Sequence, residues 1–355
     1  TILDAANSVI KNNFGRKSKK LWTENETGGS ILHYNALDEW GEANFIASEI
    51  KHAREAYGRR LNEFAILYRT NAQSRVIEEA FMSHGIPYRI IGGFKFYDRK
   101  EVKDVIAYLR LIQNPDEDVS LKRIINIPKR GIGNTTLESI ESFARQTDDS
   151  MFGALLSIDN IPGISKKALG NINEFVKLIS GLMAAAEIKK PSEVLKELLD
   201  KSGYLDSLQK EGDDESLSRA ENIRELLSAT LEFESKNPEA NLQQFLEQMA
   251  LMSDIDNLET EAEAVVLMTL HSAKGLEFPV VFMSGMEEGV FPSQRSYFEE
   301  QQMEEERRLM YVGITRAREC LYLTSAFERT IFGSTTYNIV SQFIKEIPKD
   351  LIIKV

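Results

Sequence analysis

The residue pattern predicts an α/β protein whose largely parallel sheet is built from both chain ends and interrupted by an all-helical insert. Three observations lead there: strand-like and helix-like runs alternate near the start, the same style returns near the end, and the chain between reads as helix throughout. The strand-like runs are apolar without alternation, as in parallel sheets covered on both faces. In order, Ile31-Leu32-His33-Tyr34 is a strand, 42–57 a helix, Phe64-Ala65-Ile66-Leu67-Tyr68 a strand, 73–84 a helix and Tyr88-Arg89-Ile90-Ile91 a strand. The closing strands are 265–270, Val280-Val281-Phe282-Met283 and Cys320-Leu321-Tyr322-Leu323-Thr324. Between them Val194, Leu195, Leu198 and Leu199 recur at helical spacing, as do Ile223, Leu226, Leu227 and Leu231, then Leu242, Phe245, Leu246 and Met249. Asn241 followed by Gln244 has the form of a capping box. Gly92-Gly93 and the polar stretch 253–263 read as hinges. The α/β domain is therefore 1–95 with 259–355, and the helical domain is 96–258.

Composition narrows the function. With 43 basic against 55 acidic residues the net charge is -12, which excludes a nucleic-acid coat or a polybasic membrane anchor. A local phosphate-binding groove stays open, because it depends on where cations sit and not on their sum. No apolar run nears the roughly 18 residues that cross a bilayer, and the opening residues 1–7 do not resemble a secretory signal. The single cysteine, Cys320, leaves no internal disulfide and no cysteine-based zinc cluster. A reducing, cytoplasmic setting fits.

The phosphate loop G-x-x-x-x-G-K-S/T of common nucleotide hydrolases does not occur. Asp38-Glu39 beyond the first strand resembles a metal-binding acidic pair, but Asn35-Ala36-Leu37 intervene and the plain reading is a polar turn. His33, His52, His84 and His271 are scattered, and no metal-ligand cluster or nucleophilic triad is evident. The loop 269–279 is more informative. His271, Ser272, Lys274, Gly275 and Glu277 fall between two strands, where α/β folds place ligands. Small residues let backbone approach a phosphate, and Glu277 suits a ribose hydroxyl. On local chemistry alone a polar loop is favoured.

In 304–319, read as a helix, Leu309, Val312, Gly313, Arg316, Ala317 and Cys320 share one side, while Arg307 and Arg318 point away as solvated arginines. Arg316 is then an inward cation that must meet an anion, either an internal carboxylate or a ligand phosphate. The glutamates at 304–306 read as a solvated face. Pro128-Lys129-Arg130-Gly131-Ile132-Gly133-Asn134-Thr135-Thr136, echoed weakly at 161–167, is a glycine turn opening into a helix beside two cations, which suits a DNA phosphate without base specificity. It equally suits a capped helix start. Arg69 and Asn71 end a strand with polar side chains, and Phe332 lies in a polar context past the last one, as core packing or as a stacking platform.

Taken in order, the segments 64–75, 97–100, 128–133, 269–279, 285–289 and 304–317 resemble the C-terminal half of the UvrD/PcrA (Rep-like) superfamily 1 DNA helicases, Gram-positive members above all, over essentially the whole chain. The resemblance implies a second RecA-like motor domain, 2A, interrupted by a helical accessory domain, 2B. It implies that Arg316 reaches the γ-phosphate of ATP, that Glu277 contacts the ribose and that Lys274 lies close by. It implies Arg69, Asn71, His271 and Phe332 on a single-strand track, and Lys129, Arg130, Gly131, Gly133 and Thr136 against duplex DNA. The family's phosphate loop, DExx metal site and water-positioning glutamine belong to the first motor domain and have no counterpart in this sequence. The expectation is a fragment, one lip of an ATPase cleft: part of an ATP- and Mg²⁺-dependent 3′→5′ helicase of repair or replication, inactive alone, with no metal ligand of its own. Its partners would be DNA, the first motor domain and repair or transcription proteins. A non-catalytic DNA-binding adaptor, or the motor part of a helicase–nuclease, remain alternatives.

Overall fold

The computed structural model describes residues 1–14, 21–24, 26–255 and 263–355, so 256–262 of the polar stretch taken as a hinge lie outside it. The chain forms two compact units, Thr1–Phe96 with Ile255–Val355, and Tyr97–Asp254. The first unit begins with α1 (Ile2–Ile10), β1 (Ile31–Ala36), α2 (Glu39–Tyr57), β2 (Phe64–Tyr68), α3 (Ser74–His84) and β3 (Tyr88–Ile90). The second holds α4 (Lys100–Gln113), α5 (Asp118–Ile124), α6 (Asn134–Thr147), α7 (Met151–Leu156), α8 (Lys166–Ala186), α9 (Pro191–Ser202), α10 (Tyr204–Glu211), α11 (Asp214–Lys236) and α12 (Leu242–Ile255). The chain returns through β4 (Val265–Thr269), β5 (Phe278–Met283), α13 (Glu300–Ile314), β6 (Ala317–Ala326), the hairpin β7 (Glu328–Ile331) and β8 (Ser334–Tyr337), α14 (Gln342–Lys345) and β9 (Ile352–Lys354).

Among the described residues the sheet has the order β3-β4-β2-β5-β6-β1-β9, and its ladders are parallel. β2 shows why its strands read as continuous apolar runs. Ala65 and Leu67 enter one core with α1 and α13, while Phe64, Ile66 and Tyr68 enter the other with α2 and α3. Every residue of β2 is buried, and the α/β expectation holds.

One element differs. α13 stops at Ile314, and β6 begins at Ala317. The sequence from Ala317 to Leu323 satisfies helical and two-residue spacing alike, and ladders to β5 and β1 on both sides decide for strand. Arg316 consequently lies on a turn, its amide donating to the Gly313 carbonyl at 3.1 Å.

Within the helical unit the capping box at α12 is reciprocal: the Asn241 amide donates to Gln244 Oε1 and the Gln244 amide to Asn241 Oδ1, each at 3.1 Å. Asn241→Ala should cost about 1 kcal/mol of helix stability. Amide hydrogen exchange in the first turn of α12 should then quicken about fivefold, with α8 and α11 unchanged.

Candidate nucleotide and nucleic-acid sites

At the edge of the sheet where β5 and β6 begin, the turn after α13 holds Arg316 half-exposed. Its Nε donates to the Val312 carbonyl at 3.0 Å, Nη1 to the Leu276 carbonyl at 2.7 Å and Nη2 to Thr315 Oγ1 at 3.1 Å. All three acceptors are neutral. They fix the direction of the guanidinium without cancelling its charge, and they leave part of its five-donor fork unused. Other arginines differ: on α13 Arg308 meets Glu304 and Glu305 and Arg307 meets Glu346, and at the far edge Arg329 meets Glu42 and Glu287. Among the described residues no carboxylate lies within ion-pair distance of Arg316.

The acceptor at Leu276 brings Glu277 beside this arginine. Glu277 is exposed and reaches Arg318 only at 3.9 Å, a solvent-screened contact of little energetic weight. Lys274 and His271 are exposed on the same loop. The loop leaves β4 at one edge of the sheet and enters β5 at the other, passing β2, which lies between them. Ala273 and Leu270 are buried and pin it to the core, and Gly275, at φ 87°, supplies the left-handed turn.

The opposite edge carries Arg69, Asn71 and the β7–β8 hairpin. Arg69 forks onto Glu306, with Nε at 2.9 and 3.1 Å and Nη2 at 2.7 Å. The same carboxylate accepts the Ser293 amide at 3.0 Å. The expected solvated glutamate face is thus corrected: Glu306 is buried, and so is Arg307, which forks onto Glu346 and donates to Asn13 Oδ1 at 2.8 Å. Helical phase carries the signal for this burial, since Glu306 heads the stripe with Met310 and Gly313 that α13 buries. Asn71 is half-buried at the start of a short turn whose Gln73 Oε1 accepts the amides of Arg69 and Thr70, each at 2.9 Å.

Phe332 and Gly333 form the two-residue turn of the hairpin, at φ 56° and 75°. Such turns need left-handed backbone at both positions and favour Asn-Gly. A bulky aromatic there costs about 1–3 kcal/mol, and Phe332 is only half-buried.

In the helical unit Gly131, at φ 71°, turns the chain ahead of α6, whose N-cap Gly133 offers no side-chain cap. The first-turn amides of α6, at 134–136, therefore lack a capping side chain. The echo before α8 differs, because Ser165 Oγ caps it by accepting the Ala168 amide at 3.2 Å. Lys129 is exposed. Arg130, expected beside a phosphate, instead turns inward. Nη1 donates to the carbonyls of Ile124, Ile125 and Ile127 at 3.0–3.1 Å, Nη2 donates to Tyr108 Oη at 2.6 Å, and the group lies 5.2 Å from the Phe175 ring centre. The end of α5 favours a cation, and Arg130 gathers its carbonyls there, although the Ile124 carbonyl also accepts the Ile127 amide at 2.8 Å.

The acidic pair beyond β1 is structural: Asp38 caps α2 through the Gly41 amide, and Glu39 accepts the Thr330 amide. Among the described residues no group of three or more His, Cys, Asp or Glu is placed to hold a metal. No described helix is long and apolar enough to cross a membrane.

Because Asn adopts this left-handed turn more readily than Phe, Phe332→Asn should stabilise the hairpin by about 1 kcal/mol. Slower amide exchange at β7 and β8 would be the readout.

The family of UvrD-like helicase C-terminal domains matches residues 1–328. The ATP-dependent DNA helicase PcrA of Bacillus subtilis (strain 168) is 52% identical over 357 aligned residues, covering 99% of this chain and 48% of that protein. Proteins of the same name from Staphylococcus epidermidis (strain RP62A) and Staphylococcus aureus (strain Mu50) are 50% identical with the same coverage. The chain spans about half the length of these relatives. Matching sequence over nearly all of the α/β unit and the whole helical insert, it belongs to the UvrD-like helicase C-terminal domain family.

Proposed function

We propose that this chain forms the 2A and 2B parts of an ATP-dependent DNA helicase that moves 3′→5′ along single-stranded DNA, with Arg316 as its arginine finger. The observation that carries the proposal is a half-exposed guanidinium held by three neutral oxygens, with no carboxylate within ion-pair distance among the described residues. Such a group is ready to stabilise charge on a transferring phosphoryl group.

In this reading the phosphate loop and the Mg²⁺ ligands come from a first motor domain. Mg²⁺ would supply charge neutralisation at the phosphates, and this chain adds the opposing cation. Glu277 accepts a hydrogen bond from the ribose, and Lys274 adds positive potential beside it. At the other edge Asn71, His271 and Phe332 contact the single strand, Phe332 by stacking on a base. Arg69 contributes through its paired fork, whose remaining donors reach the backbone. In the helical unit Lys129, Gly131, Gly133 and Thr136 present a cation and open amides to a duplex phosphate, and Arg130 braces the turn from behind. ATP favours a closed pairing of the motor domains and hydrolysis releases it, so the grip on the strand alternates. The setting is the bacterial cytoplasm, with repair or transcription proteins as further partners.

In a protein joining this chain to a first motor domain, Arg316→Ala should lower kcat for DNA-stimulated ATP hydrolysis about 10³- to 10⁵-fold. Circular dichroism and DNA affinity should be unchanged. Hydrolysis within twofold of the parent would overturn the assignment and favour an adaptor role. The chain alone should show no Mg²⁺-dependent ATP turnover.

A further inference from the structure

Under the base of the β7–β8 hairpin lies a charge cluster that the roles above do not use. Arg329 of β7 is buried and donates Nε to Glu287 Oε2 at 2.9 Å. Its Nη2 donates to Glu287 Oε1 at 2.6 Å and to Glu42 Oε2 at 2.5 Å. Both carboxylates are buried and themselves tied to backbone. Glu42 Oε1 accepts the Gly285 amide at 2.8 Å and Thr324 Oγ1 at 2.6 Å, and Glu287 Oε1 accepts the Ala326 amide at 2.6 Å. Next to it, Glu39 Oε1 accepts the Thr330 amide at 3.0 Å. One guanidinium thus joins α2, the loop after β5, the end of β6 and the hairpin.

Burying this many charges is costly, and a cluster of apolar side chains would hold a hairpin at less expense of solvation. What a bidentate arginine adds is direction, because its planar fork accepts carboxylates in few orientations. Burial lifts the Glu287 carboxyl above the usual carboxylate range despite Arg329. Burial also opposes the Arg329 charge, yet Glu287 and Glu42 overcome that and hold its pKa well above the ordinary value. The outer strand β8 is exposed along its length, so the hairpin's tilt is set from the β7 side. Its tip carries Phe332 in a backbone conformation that aromatics avoid.

We infer that Arg329 is a positioning residue for single-strand binding, locking the hairpin through Glu42 and Glu287 so that the Phe332 ring faces a base. This rests on the strand-binding role proposed for Phe332. Arg329 touches no nucleotide in this arrangement and acts through the aromatic ring.

The test is a double-mutant cycle on the 355-residue chain, with oligo(dT) affinity read by fluorescence anisotropy at low salt and melting followed in parallel. Phe332→Ala should weaken binding by about 5- to 100-fold, the range for one lost base–aromatic stack. Arg329→Met should weaken it by a similar factor, and the double variant should lose no more than about twofold beyond either single one, because both remove the same contact. A general loss of stability would not produce that non-additivity. Multiplying losses, or wild-type affinity in a folded Arg329→Met protein, would overturn the inference while leaving the strand-binding role of Phe332 intact. If Phe332→Ala binds normally, both fall together. Should Arg329→Met not fold, Glu287→Gln keeps an acceptor for the Ala326 amide, weakens the mount and enters the same cycle with the same outcomes.

Discussion

An arginine cannot shed its charge at neutral pH, so the fold must give every guanidinium either water, an acid or a set of oxygen dipoles. Around α13 and β6 most arginines take an acid, and Arg316 takes dipoles. That difference organises this edge of the sheet. Two of the three acceptors, Val312 and Thr315, come from the end of α13, where carbonyls are left over and the helix dipole favours a cation. The third comes from the loop after β4. The arginine therefore ties helix end to loop, while its charge stays available to an incoming anion.

The same economy of charge shapes the far edge differently. Arg69 and Arg329 are neutralised by buried glutamates. Their value to the structure is orientation: one secures the end of β2 to α13, the other secures the hairpin to α2. A parallel sheet with both faces covered offers ligands only its two edges and the loops along them. Here one edge keeps an uncompensated cation and the other keeps an aromatic ring at a strained turn.

The strands were legible because a doubly covered sheet demands uninterrupted apolar runs, and β2 occupies the residues its sequence pattern marks. The helical insert was legible from its spacing, and the α12 cap from two residues. What was not legible depended on distant partners. Arg69 meets a glutamate 237 positions away, and no local pattern announces that. Glu42 lies in line with Ile46 and Ile50 on the buried stripe of α2, a hint that a buried cation must exist without saying which. The end of α13 was not legible because Ala317 keeps helical spacing with Gly313 as well as alternate spacing with Glu319 and Leu321, and only the neighbouring strands choose between them. Arg130 reads from sequence as a cation beside a phosphate because the carbonyls it meets come together only where the folded chain ends α5.

The passage from β4 to β5 has one more property. Register sets its ends roughly 20 Å apart along the strands, with β2 lying between, and the residues joining Thr269 to Phe278 reach only about 30 Å when fully drawn out. A strap using so much of its reach, and nailed down at Leu270 and Ala273, has little slack with which to absorb a tug. The Leu276 carbonyl, the very oxygen Arg316 holds, therefore sits on a short span only three residues from the buried Ala273, which fixes where that acceptor stands.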